Sequence, residues 1–200
     1  MNLTKKNIPL VSVLIGTYNR SELISRCIDS VFRQTHKNIE VIVVDDNSTD
    51  NTLEILNNYK SKFPSKFKFI SNKINKGIAY NSNLAYSMSS GDYLALVGDD
   101  DEWFDSSKTE IQLNEFYLNS KLGLVSTYWN DVKNGSIVKQ HNPSVSKDPF
   151  SQILKANGVY CGSTVLITKD AWDLVGGFDE RMKRGTDSEI FRSIIKKKIK

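Results

Sequence analysis

Three carboxylates stand side by side at Asp99-Asp100-Asp101, directly after the apolar run Tyr93 to Val97. Adjacent carboxylates repel one another, and holding them together at a strand end costs stability unless a cation or hydrogen-bond donors compensate. A hard divalent cation is a natural compensator: Mg2+ or Mn2+ bound by one or two carboxylates plus substrate phosphates suits these residue types. The same run also reads as a solvated acidic loop, or as negative charge at a helix N-terminus. A second acidic pair, Asp45-Asp46, follows Ile39 to Val44. A carboxylate there can accept from a nucleobase N–H or a ribose hydroxyl, while Ser48 or Asp50 caps the next helix. Tyr18 could stack on a base, although a lone tyrosine is more simply a packing residue. Asp187 follows Gly185-Thr186 where a helical pattern begins. A carboxylate at such a boundary can take a proton from a hydroxyl in a cleft, but spacing alone favours an ordinary N-cap.

The elements that must position these groups alternate. Leu10 to Ile15 is a short, β-branched, apolar run, as in a strand buried on both faces. Leu23, Ile24, Cys27, Ile28, Val31 and Phe32 then share one helical face, with Ser21 as the expected N-cap. Ile39 to Val44 is the second strand, followed by a helix with Leu53, Ile55 and Leu56 inward. Phe67 to Ser71, Ile78 to Met88 and Tyr93 to Val97 continue as strand, helix and strand. Ser107 and Glu110 have the spacing of a capping box opening a helix to about Tyr117. This succession predicts a parallel sheet with helices on both faces, whose ligands bind beyond the carboxyl ends of the strands. Those ends carry Gly16-Thr17-Tyr18-Asn19-Arg20, Asp45-Asp46-Asn47-Ser48 and Gly98-Asp99-Asp100-Asp101.

The second half is less regular. Leu122 to Trp129 and Ser136 to Gln140 read as strands around an Asn134-Gly135 turn, and Val159 to Ile167 as another extended segment. Thr168 caps a short helix ending at Gly176-Gly177. The last helix carries Ile190, Phe191, Ile194 and Ile195 and runs into Lys196-Lys197-Lys198-Ile199-Lys200 without a cap, the pattern of a sequence cut inside an element. The 200 residues suffice for one domain with a core, and 39% hydrophobic with 25% charged residues is a globular composition. A net charge of +4 is too small to imply nucleic-acid binding. Cys27 and Cys161 fit no disulfide or metal spacing, and His36 and His141 read as surface residues. No apolar run reaches the ~20 residues that span a bilayer, and Met1 to Leu10 lacks a signal-peptide core. A cytoplasmic location is therefore expected. The basic end is a charged helix face, or a peripheral contact with the inner face of a membrane.

Taken in order, these motifs resemble family 2 glycosyltransferases of the GT-A fold, over nearly everything from Val11 to Ile195. Val11 to Arg20 is similar to that family's opening strand and Tyr-Asn turn, Ser30 to Thr35 to the end of its first helix, and Glu40 to Asp50 to its second strand and base-binding Asp. Asn75-Lys76-Gly77 with Asn83, Gly91-Asp92-Tyr93, and Gly98 to Trp103 resemble the segments leading into its DXD region. The resemblance implies a Rossmann-like, mostly parallel sheet in one domain, with a nucleotide-binding half at about 8–104 and an acceptor-side half of mixed strands at about 105–200. It also implies an inverting transfer from a nucleoside-diphosphate sugar, UDP-sugar favoured, to a glycan or lipid-linked acceptor, with Mn2+ or Mg2+. Tyr18 and Asp46 would hold the base, Thr17 and Asn19 would shape its pocket, and Asp99 would face the ribose. Arg20, Gly77 and Asn83 would add donor contacts, Asp100 would bind the metal with Asp101 as the alternative, and Asp187 would be the base. Gly98 and Asn81 depart from the family pattern, which commonly has the first DXD aspartate and a donor-facing arginine there.

Four other classes draw on the same residues. A sugar nucleotidyltransferase usually carries a glycine-rich basic loop after the first strand, which Gly16 to Asn19 is not. A receiver domain needs its acidic pair after that strand, and a dinucleotide-binding dehydrogenase needs G-x-G-x-x-G there. A degenerate nucleotide-sugar binding module would keep the same motifs without turnover.

Overall fold

The computed structural model describes residues 8–142, 160–182 and 185–197. Four parallel strands open the chain: β1 (Val11–Thr17), β2 (Ile39–Asp45), β3 (Phe67–Ser71) and β4 (Tyr93–Leu96), with α1 (Ile24–Phe32), α2 (Thr52–Lys62) and α3 (Ile78–Ser87) between them. After α4 (Lys108–Leu118) come β5 (Leu124–Ser126), the hairpin β6 (Trp129–Lys133) and β7 (Ser136–His141), a 3-10 turn at Gly162–Thr164, β8 (Val165–Thr168), α5 (Lys169–Val175) and α6 (Thr186–Lys196). The six-stranded sheet has the order β3-β2-β1-β4-β8-β5, with β8 antiparallel to both its neighbours. The second half is thus built onto the edge of the first through one continuous sheet.

The two faces of β1 explain its unbroken apolar run. Val11, Val13 and Ile15 pack with Ile24, Cys27 and Ile28 of α1, Leu56 of α2 and Phe116 of α4. Leu14 points the other way, into a cluster with Ala85 of α3, Trp172 of α5 and Ile190, Phe191 and Ile194 of α6. Successive strand residues face opposite sides, so helices on both faces leave no polar position from Val11 to Ile15 except Ser12. Its hydroxyl donates to Glu40 Oε1 (2.7 Å) and accepts the Gly91 N–H (2.9 Å), while Lys68 Nζ donates to Glu40 Oε2 (2.8 Å). Burial works against the Glu40 charge, but the Lys68, Ser12 and Ser90 donors outweigh it and lower the pKa.

Several local expectations change in three dimensions. Ser21 does not cap α1; its N–H donates to Asp50 Oδ2, and Leu23 holds the cap position with no side-chain bond. The Ser107 capping box does not form, because the Ser107 hydroxyl donates to Asp105 and Gln34 Oε1 takes the Thr109 N–H at 3.0 Å. Leu122 to Trp129 is two strands rather than one: β5 joins the main sheet and β6 leaves it. The Val159 to Ile167 segment is a 3-10 turn before a short strand, and Val159 lies outside the described residues. His36 is buried, with Nε2 3.0 Å from the Pro9 carbonyl oxygen. His141 lies on the hairpin against Trp129, so neither histidine is the partnerless surface residue expected. The Asn134-Gly135 turn (φ 51° and 76°) and the Thr168 cap on the Ala171 N–H form as read. Lys198 to Lys200 lie outside the described residues. Among the described residues no helix is long and apolar enough to cross a membrane.

A Cβ at Gly91 would sit 2.5 Å from Ser12 Oγ and 2.7 Å from the Ser12 backbone nitrogen. Gly91→Ala is therefore expected to destabilise the fold by about 2 kcal/mol, and urea denaturation followed by circular dichroism reads the midpoint shift.

Candidate active site

The loops leaving β1 and β2 are laced together. Asn19 takes a left-handed backbone (φ 52°) that asparagine tolerates better than most residues. Its N–H donates to Ser48 Oγ at 2.8 Å, and its Oδ1 accepts the Thr49 N–H at 2.7 Å. The Arg20 N–H donates to Thr52 Oγ1 (3.1 Å), and the Asp46 N–H to the Thr17 carbonyl (2.8 Å). Thr17 is buried under this lacing, whereas Tyr18 stands 46% exposed on a turn fixed from both sides.

Asp46 is only 3% exposed. Its Oδ1 accepts the Lys76 N–H and the Asn72 amide, and its Oδ2 the Gly77 N–H, each at 2.8 Å. Burial raises its pKa, yet these donors prevail and the carboxyl is lowered. Asp46 thereby pins the β3–α3 loop, in which Gly77 takes φ 86°, to the end of β2. Asn81 is buried beside it and accepts the Asn72 amide at 2.8 Å, so it belongs to this network rather than to a donor-facing surface. Asn83 is committed elsewhere. Its amide donates to the Phe178 carbonyl (3.0 Å) and Glu180 (2.9 Å), and its oxygen accepts the Phe178 N–H (2.9 Å).

The acidic loop after β4 is held from two directions. From α1, Cys27 Sγ donates to the Gly98 carbonyl (3.3 Å), Arg26 to the Asp100 carbonyl (2.8 Å), and Ser30 Oγ accepts the Trp103 N–H (3.0 Å). From the second half, Ser163 Oγ accepts the Gly98 N–H (2.8 Å) and donates to Asp101 Oδ2, and the Ser163 carbonyl accepts the Trp103 indole N–H (2.9 Å). Arg20 Nε lies 3.5 Å from Asp99 Oδ1. Burial raises the Asp99 pKa, the Thr17 hydroxyl and Arg20 oppose it, and the Asp100 charge adds to it. Burial also raises Asp101, opposed by Ser163 and reinforced by Asp100. The Asp100 carboxylate makes no hydrogen bond to any described residue. A Cβ at Gly98 would lie 3.0 and 3.1 Å from the Asp101 and Asp100 carboxyl oxygens. The absent side chain gives those carboxylates room.

Asp187 lies in the first turn of α6, where Gly185 (φ 68°) holds the cap position, so it is not the N-cap. Its Oδ1 accepts the Ser188 N–H at 2.8 Å. A Cβ on Gly162 would fall 3.7 Å from Asp187 Oδ2, which puts this carboxylate against the 3-10 turn whose next residue, Ser163, holds Asp101. Two acids read separately in the sequence therefore meet at one turn. Ser163 falls in the Tyr160 to Ser163 stretch that sequence reasoning assigns to the acceptor side, but nothing in local spacing ties it to the acidic loop 62 positions earlier.

This turn is also held from behind. Gln112 donates to the Thr164 and Val125 carbonyls, both at 2.8 Å, and accepts from Lys108 Nζ at 2.8 Å. Lys108 is buried with its ammonium 4.1 Å from the centre of the Trp103 ring. Burial brings its pKa from 10.5 to about 7, with Cys161 opposing.

The donor set around Asp99 to Asp101 is all oxygen, and burial raises two of its carboxyls, Asp99 and Asp101, against the nearby Arg20 and Arg26. Among the described residues no three ligands converge as a ready-made metal site. A Mg2+ or Mn2+ ion completed by substrate phosphates fits that arrangement.

The glycosyl transferase family 2 model matches residues 12–174. The chain is 33% identical over 191 residues to a chondroitin synthase of Escherichia coli, covering 94% of this chain and 27% of that protein. In structure it resembles a mannosyltransferase of Pyrobaculum calidifontis in complex with GDP-Man and Mn2+, with a TM-score of 0.72 and 21% identity over 93% of this chain and 52% of that one. It likewise resembles TarS 1-349 of S. aureus in complex with UDP, with a TM-score of 0.72 and 24% identity over 90% of this chain and 53% of that one. The chain thus spans about a quarter of the synthase and about half of each solved neighbour.

Lys108 generates a pH-dependent prediction. The folded amine loses its proton near 7 and the unfolded one only near 10.5, so the charge-burial penalty is full below pH 7 and is relieved as pH rises through that window. The cation–π contact, worth about 2 kcal/mol in a dry site, offsets part of it. Lys108→Met is expected to raise Tm by roughly 4–8 °C at pH 6, and the gain shrinks towards pH 9; thermal denaturation across pH checks both.

Proposed function

The chain belongs to glycosyl transferase family 2, and from that premise we propose that it moves a sugar from a nucleoside-diphosphate sugar to an acceptor hydroxyl with inversion, assisted by Mn2+ or Mg2+. The observation that carries this reading is the meeting of Asp101 and Asp187 at the Gly162-Ser163 turn, beside the loops that present Tyr18 and Asp99. A UDP-sugar is the favoured donor. One solved neighbour holds UDP and another GDP-Man, so the nucleobase is a matter for measurement. The E. coli relative's name supports a role in surface polysaccharide or glycan synthesis, with a glycan or lipid-linked acceptor. In a single domain, residues of about 8–104 serve the nucleotide and about 105–200 the acceptor. A peripheral contact with the inner face of a membrane belongs to the same reading.

Tyr18 lies over the nucleobase, with Thr17 and Asn19 shaping its pocket, and Arg20 completes the wall through its pairing with Asp99. Asp46 acts mainly by pinning the loop of Lys76 and Gly77, leaving a lone pair on Oδ2 for the base. Asp99 faces the ribose. Asp100, which makes no hydrogen bond to the described residues, holds the cation, with Asp101 beside it under restraint from Ser163. When bound, the cation neutralises charge developing on the leaving diphosphate. Asp187 accepts the proton of the acceptor hydroxyl as that oxygen attacks the anomeric carbon from the face opposite the diphosphate.

Asp187→Asn is expected to slow transfer at least about 100-fold, while calorimetry gives the same UDP affinity as wild type. Transfer near the parent rate removes Asp187 from the role of base. Asp100→Ala is expected to weaken Mn2+-dependent nucleotide binding in a calorimetric series of UDP, GDP, CDP and dTDP. Unchanged metal dependence moves the ligand role to Asp99 or Asp101, and no nucleotide binding in the folded wild type favours a degenerate binding module.

A further inference from the structure

The β6–β7 hairpin leaves the sheet directly above the turn that carries Ser163. Its root is tied there: the Thr127 N–H donates to the Thr164 carbonyl at 3.3 Å, and the Ser126 and Thr164 hydroxyls lie 2.8 Å apart. Trp129 and His141 pair across the two strands, and their rings stack with centroids 4.5 Å apart at an interplanar angle of 9°. Asp131, two residues along β6 and so on the same ribbon face, bonds to His141 Nε2 at 2.8 Å. Burial raises the half-buried Cys161 thiol, which precedes Gly162, and the charges of Asp101, Asp187 and Asp131 add to it.

These three side chains have no task in holding the sheet. Their chemistry is that of a sugar site: a flat aromatic surface suits the C–H face of a pyranose, and a carboxylate with an imidazole supplies acceptors and donors to its hydroxyls. The stack and the hydrogen bond pre-set both orientations, which lowers the ordering cost of binding. We propose that Trp129, Asp131 and His141 form the acceptor subsite, taking the pyranose ring whose hydroxyl is presented to Asp187. The proposal rests on the glycosyl-transfer reading above and adds the residues and ligand class of its second substrate.

Trp103 and Trp172 are buried at 4% and 1% exposure, so acrylamide quenching of tryptophan fluorescence reports mainly on Trp129. The probes are the methyl glycosides of glucose, galactose, N-acetylglucosamine, N-acetylgalactosamine and glucuronic acid, added at millimolar concentration to protein saturated with UDP and Mn2+. At least one glycoside is expected to protect wild-type fluorescence. Asp131→Asn and His141→Gln are expected to weaken that glycoside about tenfold with UDP affinity unchanged by calorimetry. Protection by no glycoside in a UDP-binding wild type overturns the subsite, as does equal protection in wild type and both variants. Absence of UDP binding in the wild type is a separate result, which sinks the glycosyl-transfer reading and the subsite with it.

Discussion

One hydroxyl group joins the two halves of this GT-A domain where the chemistry lies. Ser163 accepts the backbone N–H of Gly98 and donates to Asp101, and its own carbonyl takes the indole N–H of Trp103. The acidic loop is thereby fastened to the turn that leads into β8, the strand beside β4. That turn in turn depends on β8 lying antiparallel between β4 and β5. Carboxylates so close together would splay apart in water. Here neutral donors and the backbone contacts from Arg26, Cys27 and Ser30 fix their spacing without cancelling their charge. The raised Asp99 and Asp101 record first the cost of burying those carboxyls, to which the neighbouring Asp100 charge adds.

The same economy governs the nucleotide side. Asp46 faces the protein more than the solvent, and three donors at 2.8 Å turn it into the clasp of the β3–α3 loop. Asn19 does the equivalent for the β1 and β2 exits through Ser48 and Thr49. Their contribution to a ligand site is therefore largely the shape of the backbone they hold, while Tyr18 stands half-exposed and Arg20 pairs with Asp99. At the opposite end of the strands, the Ser12, Glu40 and Lys68 network satisfies the polar position inside the parallel core. Its donors and acceptors are paired, which makes its burial tolerable. Lys108 is the contrasting case, a buried ammonium whose neighbours are an amide and an aromatic face.

The family's departures acquire a physical meaning in this setting. At Gly98 a side chain would press on the Asp100 and Asp101 carboxyls, so the missing aspartate leaves space for its successors to turn inward. At Asn81 a long cation would have to leave the buried network that joins Asn72 to Asp46, while among the described residues it is Arg20 that pairs with Asp99.

Apolar runs of alternating facing, the helical periodicity of Ile24 to Phe32 and the polar residues after each strand were legible because they follow from local geometry along the chain. They fixed the order of β1 to β4 and put the three loops on one edge. The Thr168 cap and the Asn134-Gly135 turn were equally local, with partners a few residues away. The failures share the opposite cause. Ser21 and Ser107 each had a plausible neighbour in sequence, but Asp50 and Asp105 offered those groups better-placed partners once the chain was folded. Likewise, the placing of Asp187 against Gly162, and of Ser163 beneath Asp101, depends on contacts between segments far apart in sequence. The sequence by itself thus determined the family, the sheet and the acidic loops, because periodicity and strand order are written locally. Only the tertiary structure decided which carboxylates meet and which are spent on the scaffold, because that is settled by competition among donors brought together from distant parts of the chain.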